Sequence, residues 1–252
     1  MARFSGNRWF GNMRFISPFA GEWWWGARYS YLIIAANLAL WLVFVICSSI
    51  FGPSFKTFAW AYLSISPTYT FQKLHLWTLI TYAFVHFDLM HVFFNMLIMM
   101  FFGPRVERDM VNRRFLIFYF ICAIGGALVS ILAKTLSNNM EHVTIGASGA
   151  VLGVLLAYGV MYPHDRIFIW GIFPIRAWSL VIFVAALQFL MVFQYGMASG
   201  TDYWAHIGGL ASAYIFIFLQ GHPGKPSSRR RMKIANWRGE DSGEERSYYL
   251  EK

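Results

Sequence analysis

Six apolar runs, at about 29–51, 86–102, 115–135, 147–162, 177–195 and 204–220, constrain this chain more than any other feature. Each is near the length needed to cross about 30 Å of hydrocarbon, roughly 20 residues as a helix. In hydrocarbon every backbone N–H and C=O must be satisfied within the segment, and a helix does this alone. The expected fold class is therefore all-α: a polytopic membrane protein with six transmembrane helices. Composition agrees, because 58% of the residues are hydrophobic and only 13% are charged, against about 45–50% and 25% in soluble domains.

The runs divide the chain into three parts. Residues 1–28 form a basic, aromatic tail, with Trp23, Trp24 and Trp25 before the first run. It reads either as a segment lying along the headgroups or as a floppy tail with a Trp anchor. It lacks a continuous apolar stretch, so no cleavable signal peptide is expected. Residues 29–220 hold the six helices. Residues 221–252 are rich in Gly, Ser and charge and are expected to be disordered. Residues 52–85 carry Phe58, Trp60, Tyr62, Leu63, Trp77 and Tyr82, which suggests short helices at the outer interface. Residues 103–114 read as a short charged loop. Placing both termini in the cytoplasm leaves only Lys56, Lys73 and Lys134 outside among 21 Lys and Arg, as the positive-inside bias requires. The net charge of +9 thus reports orientation in the lipid bilayer, and no nucleic-acid partner is expected. Cys47 and Cys122 fall within runs and read as small buried apolar residues, not a disulfide.

Polar residues inside such runs are costly and suggest function. His91 and Asn95 lie four apart and share a helix face. Ser148 opens the fourth run, within Gly146-Ala147-Ser148-Gly149. A hydroxyl there is ordinary as a helix cap, but becomes a nucleophile if a base reaches it. His206 opens the sixth run. Under the six-helix topology, His91, Asn95, Ser148 and His206 all lie at similar depth below the outer surface. Gly149, Gly153 and Ala157 on run four, and Gly209 and Ala213 on run six, are spaced by four, the pattern that lets membrane helices approach closely.

These motifs carry a resemblance. HFDLMHVFFNM (86–96), GASGAVLG (146–153) and AHIGGLAS (205–212) resemble the signatures of the rhomboid family of intramembrane serine proteases, supported by LWTLITYAFVH (76–86) and FGPRVER (102–108). The resemblance covers about 29–220. It implies a rhomboid-like bundle and a serine-type endopeptidase that cleaves single-span membrane proteins near the outer face. Ser148 would be the nucleophile and His206 its general base. His91, Asn95 and the Ser148 N–H would form the oxyanion hole. Gly146 would admit the substrate backbone, and His86 and Glu107 match positions of structural role. No cofactor or metal is implied. Six helices without a seventh suggest a prokaryotic plasma membrane.

The chain departs from the family pattern at Thr78, where many members have Arg after the Trp, and at Leu152, where an aromatic often stacks on the base. Packing on His206 is then expected from Trp204 or Tyr203. Asp202, four before His206, reads as an orienting carboxylate or, more simply, as a loop acid facing water. A metalloprotease lacks its HExxH pair here, an inactive relative should lack Ser148 or His206, and a transporter should show inverted repeats. Substrate access is expected beneath a flexible roof at Met197–Tyr203, with substrates carrying helix-weakening residues near the cut, and the resemblance implies that run five is a movable wall beside the entry route.

Overall fold

The structure is a computed structural model that describes residues 27–169, 173–196 and 200–220. The tails and the start of the expected roof, Met197 to Ser199, lie outside the described residues. Among these residues eight α-helices follow in order. They are α1 (Arg28–Phe51), α2 (Pro53–Leu63), α3 (Thr78–Thr81), α4 (Leu89–Met110), α5 (Asn112–Leu136), α6 (Ser148–Met161), α7 (Ala177–Tyr195) and α8 (Tyr203–Leu219). The chain is a mostly helical membrane protein. Four helices, α1, α4, α5 and α7, are long and apolar enough to cross a membrane, while α6 and α8 are shorter apolar helices.

α6 is the hub: ten of its fourteen residues are buried, from Gly149 to Gly159. It packs against α4, α5, α7 and α8, and α5 and α8 also pack closely. Small residues explain the approach. A Cβ on Gly209 would fall 2.1 Å from the Gly149 carbonyl oxygen, and one on Gly149 would fall 2.9 Å from the Ala205 oxygen. α5 joins the same contact, since a Cβ on Gly126 would sit 2.7 Å from that Ala205 oxygen. The carbonyl of Ala205 thus occupies a notch between two glycines on different helices, and His206 follows it. The α6–α8 approach matches the spaced small residues of the sequence; the share taken by Gly125 and Gly126 of α5 was not anticipated.

α1 and α7 lie at the periphery. They turn Leu42, Ile46, Ile182, Phe183 and Phe193 outward, as helices bordered by lipid do. The amino end of α1 has no capping side chain of its own. Glu107 of α4 supplies the acceptor: its Oε1 takes the Tyr29 N–H at 2.9 Å, and its Oε2 takes the Ser30 N–H and hydroxyl at 2.7 Å each. A carboxylate there satisfies orphan donors and opposes the helix dipole.

Two expectations are corrected. Residues 103–110 are not a loop: α4 runs through Pro104 to Met110, and only Val111, at φ 64°, separates it from α5. The charges misled because they find partners within the bundle. Glu107 caps α1, while Arg105 pairs with Asp165, donates to the Tyr158 hydroxyl at 3.2 Å and lies 3.7 Å from the Tyr162 ring centroid. The fold is also not purely helical. Arg166–Ile169 and Phe173–Arg176 form an antiparallel hairpin, β1 and β2, with Arg166 opposite Arg176. The β-branched and aromatic residues Ile167, Phe168, Phe173 and Ile175, with Pro174 among them, suit a short exposed ladder better than a helix. Lys134, counted among the outside charges, lies in the last turn of α5 and is fully buried there.

Between α2 and α4 the chain makes a π-turn at Pro67–Gln72, then α3, then a 3₁₀ turn at Tyr82–Phe84, as short interfacial helices should. Trp77 donates its indole N–H to the Tyr62 carbonyl at 2.7 Å. Thr78, in place of the family's Arg, bonds to the His75 carbonyl at 2.6 Å and the Thr70 hydroxyl at 2.9 Å. Cys47 and Cys122 are free thiols, the latter packed against Gly153.

Candidate active site

The amino ends of α4, α6 and α8 converge on a cavity of about 430 Å³ lined by His91, Asn95, Gly146, Ser148, Asp202 and His206. Ser148 is the first residue of α6. The chain reaches it through an extended segment that Ile65 holds by pairing with Thr144. Gly146 has φ +115°, open only to glycine at little cost, and a Cβ there would strike His91 Nε2 at 2.5 Å. Its N–H donates to the Tyr82 carbonyl at 2.8 Å. The turn therefore needs glycine twice over, for its backbone angle and for the imidazole against it.

His206 Nε2 lies 2.7 Å from Ser148 Oγ. The two side chains are 58 residues apart and meet only because α8 seats on α6. The ring of Tyr203 stands edge-on to His206, with centroids 5.9 Å apart. This settles the packing partner between the two residues considered, while Leu152 points into the core. On the other side of the imidazole, Nδ1 lies 2.7 Å from Oε1 of Gln188 on α7. The sequence reading passed over Gln188. The signal was present: it is a polar residue deep in the fifth apolar run, and the rule applied to runs two, four and six applied equally there.

His91 and Asn95 occupy one face of α4, with Asn95 buried and its Nδ2 donating to the His91 carbonyl at 3.0 Å. An amide nitrogen carries two hydrogens, so a second remains for another acceptor. Asp88 caps α4 through the His91 N–H at 2.9 Å. His86 is fully buried; its Nε2 lies 3.4 Å from the Ala147 N–H, and its ring meets that of His91 edge-on at 4.8 Å. Glu107 lies away from the cavity, at the α1 cap described above.

Asp202 lines the cavity, but its carboxylate does not bond to the His206 ring, and its side chain is mostly buried. It caps α8, with Oδ1 accepting the Ala205 N–H at 3.1 Å, and its Oδ2 ion-pairs with Lys134 at 3.1 Å. The hydroxyls of Ser130 and Thr144 donate to the same Oδ2, and Lys134 also bonds Thr144. Burial pushes the Asp202 carboxyl up, but Lys134, the two hydroxyls and the Ala205 N–H outweigh it and hold the group at about 2. A buried carboxylate finds its counter-ion before it finds water. This cluster ties the strand leading to Ser148 to the start of the helix bearing His206.

The fold and the site together define a class: a polytopic helical membrane protein with a serine–histidine pair at the floor of a polar cavity. The rhomboid domain matches residues 73–223, more than half of the sequence, and the chain belongs to the rhomboid family. It is 34% identical over 144 residues to RHOMBOID-like protein 4 of Arabidopsis thaliana, covering 57% of this chain and 34% of that protein. It is 26% identical over 184 residues to Rhomboid protein 1, mitochondrial, of Saccharomyces cerevisiae, covering 73% of this chain and 52% of that one. With YdcA of Bacillus subtilis, provisionally named a rhomboid protease, it shares 25% over 187 residues, or 74% and 85% of the two chains. The chain thus spans about a third of the Arabidopsis relative and about half of the yeast one.

Proposed function

We propose that this protein is an intramembrane serine endopeptidase that cleaves transmembrane segments of single-span proteins with a Ser148–His206 dyad. The observation that carries the reading is the 2.7 Å approach of His206 Nε2 to Ser148 Oγ in a cavity that also holds His91 and Asn95. His206 accepts the Ser148 proton as Oγ attacks a substrate carbonyl carbon. The oxyanion meets the Ser148 N–H, an unpaired donor at the start of α6, together with Asn95 Nδ2 and His91. His206 then gives its proton to the departing amine. Water, deprotonated by His206, releases the acyl group and returns the hydroxyl.

Six helices, α1, α4, α5, α6, α7 and α8, cross the membrane in this reading, residues 29–220 form the catalytic unit, and both termini are cytoplasmic. The lengths of α6 and α8 support the depth of the site. Fourteen and seventeen residues rise only about 21 and 25 Å, short of the hydrocarbon thickness. Their amino ends, which bear Ser148 and His206, then stop below the outer surface, and water enters through the cavity above. A substrate helix arriving from lipid must unwind before Ser148 reaches its backbone, so substrates should carry Gly, Pro or other helix-weakening residues there. The proposed location is a prokaryotic plasma membrane; with relatives named as mitochondrial in yeast and Arabidopsis, membrane fractionation of the source cell decides it.

The test is cleavage of a model single-span substrate by the purified protein in detergent, alongside labelling by a fluorophosphonate. Ser148→Ala and His206→Ala should each abolish cleavage while the protein stays folded, and Ser148→Ala should abolish labelling. Substantial turnover by Ser148→Ala refutes the serine-protease reading.

A further inference from the structure

Of the nineteen residues of α7, only Ala177 and Gln188 are buried. Ile182, Phe183, Phe189, Leu190 and Phe193 face outward. A single buried amide on an otherwise lipid-facing helix is costly unless its polar atoms are engaged. Its engagement here is specific: Oε1 lies 2.7 Å from Nδ1 of His206, whose Nε2 lies 2.7 Å from Ser148 Oγ. The imidazole is held from both sides by groups on two different helices.

The chemistry of the pair fixes the proton. An amide oxygen only accepts, so Nδ1 carries the hydrogen. A neutral imidazole has one N–H, which leaves the Nε2 lone pair facing the hydroxyl. That is the tautomer a general base requires. Where a carboxylate performs this task in serine hydrolases, it also stabilises the imidazolium; an amide orients without adding charge. Asp202 cannot substitute, because its oxygens are committed to Lys134, Ser130, Thr144 and the Ala205 N–H. The titratable groups that act on His206 are Asp202 and His91, from the α8 cap and from α4; Tyr203, Ser148 and Gln188 complete its surroundings.

We propose that Gln188 is a positioning residue that selects the Nε2-basic tautomer of His206, and that α7 thereby reports its own packing to the base. This rests on the reading of Ser148 and His206 as the dyad. Gln188 stands seven residues before Tyr195, about 10 Å of helix. Displacement of α7 at the level of Gln188 releases the imidazole and disarms the site. The helix with the outward apolar face thus also carries the group that orients the base.

The experiment uses the full chain in detergent, with Gln188→Met, close in shape but lacking the amide, and Gln188→Glu. Gln188→Met should lower kcat about 10- to 100-fold, up to the lower edge of the roughly 10²–10⁴-fold that a general base contributes, with KM unchanged within about twofold. Nitrogen-15 spectra of the histidine rings should show the His206 proton moving from Nδ1 towards Nε2. Gln188→Glu, which still accepts from Nδ1, should lose less turnover than Gln188→Met and shift the acid limb of kcat/KM to higher pH, because a carboxylate favours the imidazolium. Wild-type kcat and an unchanged ring tautomer in Gln188→Met overturn the proposal. So does an unchanged pH profile in Gln188→Glu, the variant that decides if the first does not fold. Should the wild type neither cleave nor take up a fluorophosphonate, the protease reading fails, and the ring spectra still decide the tautomer.

Discussion

Replacing Gly209 with alanine should separate the catalytic pair without touching either member. The added Cβ would lie 2.1 Å from the Gly149 carbonyl oxygen, 2.5 Å from its carbon and 2.8 Å from its Cα. All three are backbone atoms of a helix, so no side chain can swing away. Restoring ordinary contact requires α6 and α8 to part by roughly 1 Å. Gly209 is three residues from His206, and Gly149 is next to Ser148, so the 2.7 Å contact widens by a comparable amount. Overpacking of this kind costs about 1–3 kcal/mol of stability, and a 1 Å misplacement of reacting groups costs about 10²-fold in rate. The assay is kcat on a transmembrane substrate, the rate of fluorophosphonate labelling and the melting temperature, with Gly153→Ala as the comparison. A Cβ at Gly153 strikes Cys122 Sγ at 2.7 Å, one turn deeper and against α5, so that variant should lose stability with a smaller loss of rate. A Gly209→Ala protein that turns over within twofold of wild type refutes the argument that backbone contact sets the dyad.

Three further outcomes are expected. Asn95→Ala should lower kcat by about 10²–10³, the range for one oxyanion donor, with KM little changed; unchanged kcat with a lowered melting temperature would make Asn95 a packing residue. Glu107→Gln removes the charged acceptor from three hydrogen bonds at the start of α1, each worth about 1.5–3 kcal/mol. It should lower the melting temperature while leaving kcat within a few-fold at low temperature, and a selective loss of kcat would contradict this. Asp202 has a folded-state pKa of about 2, below its ordinary 3.8, so its contribution is complete above the ordinary value and disappears as pH falls through the folded one. Asp202→Asn, which breaks a buried pair at a cost of about 3–5 kcal/mol, should therefore melt well below wild type at pH 6, and the gap should close between about pH 4 and pH 2; a gap independent of pH would remove Asp202 from the network.

What the sequence determined by itself follows from periodicity and cost. Apolar runs of membrane length dictated helices, because hydrocarbon leaves the backbone no other partner. Small residues spaced by four marked the faces of α6 and α8 that approach. His91, Asn95, Ser148 and His206 stood out because polar groups in such runs are expensive, and the structure brings all four around one cavity. What only the tertiary structure decided is where each remaining polar group finds its partner. Glu107 and Arg105 looked like loop charges; one caps α1, the other pairs with Asp165, and the helix bearing both runs on to Met110. Asp202 looked solvated, yet Lys134 reaches it from 68 positions earlier in the chain. Gln188 is a lone amide in the fifth apolar run, and its partner emerges only where α7 packs against His206. Local pattern encodes which groups must leave water or lipid. The partner that compensates each of them is a long-range fact, since it depends on which helices pack side by side.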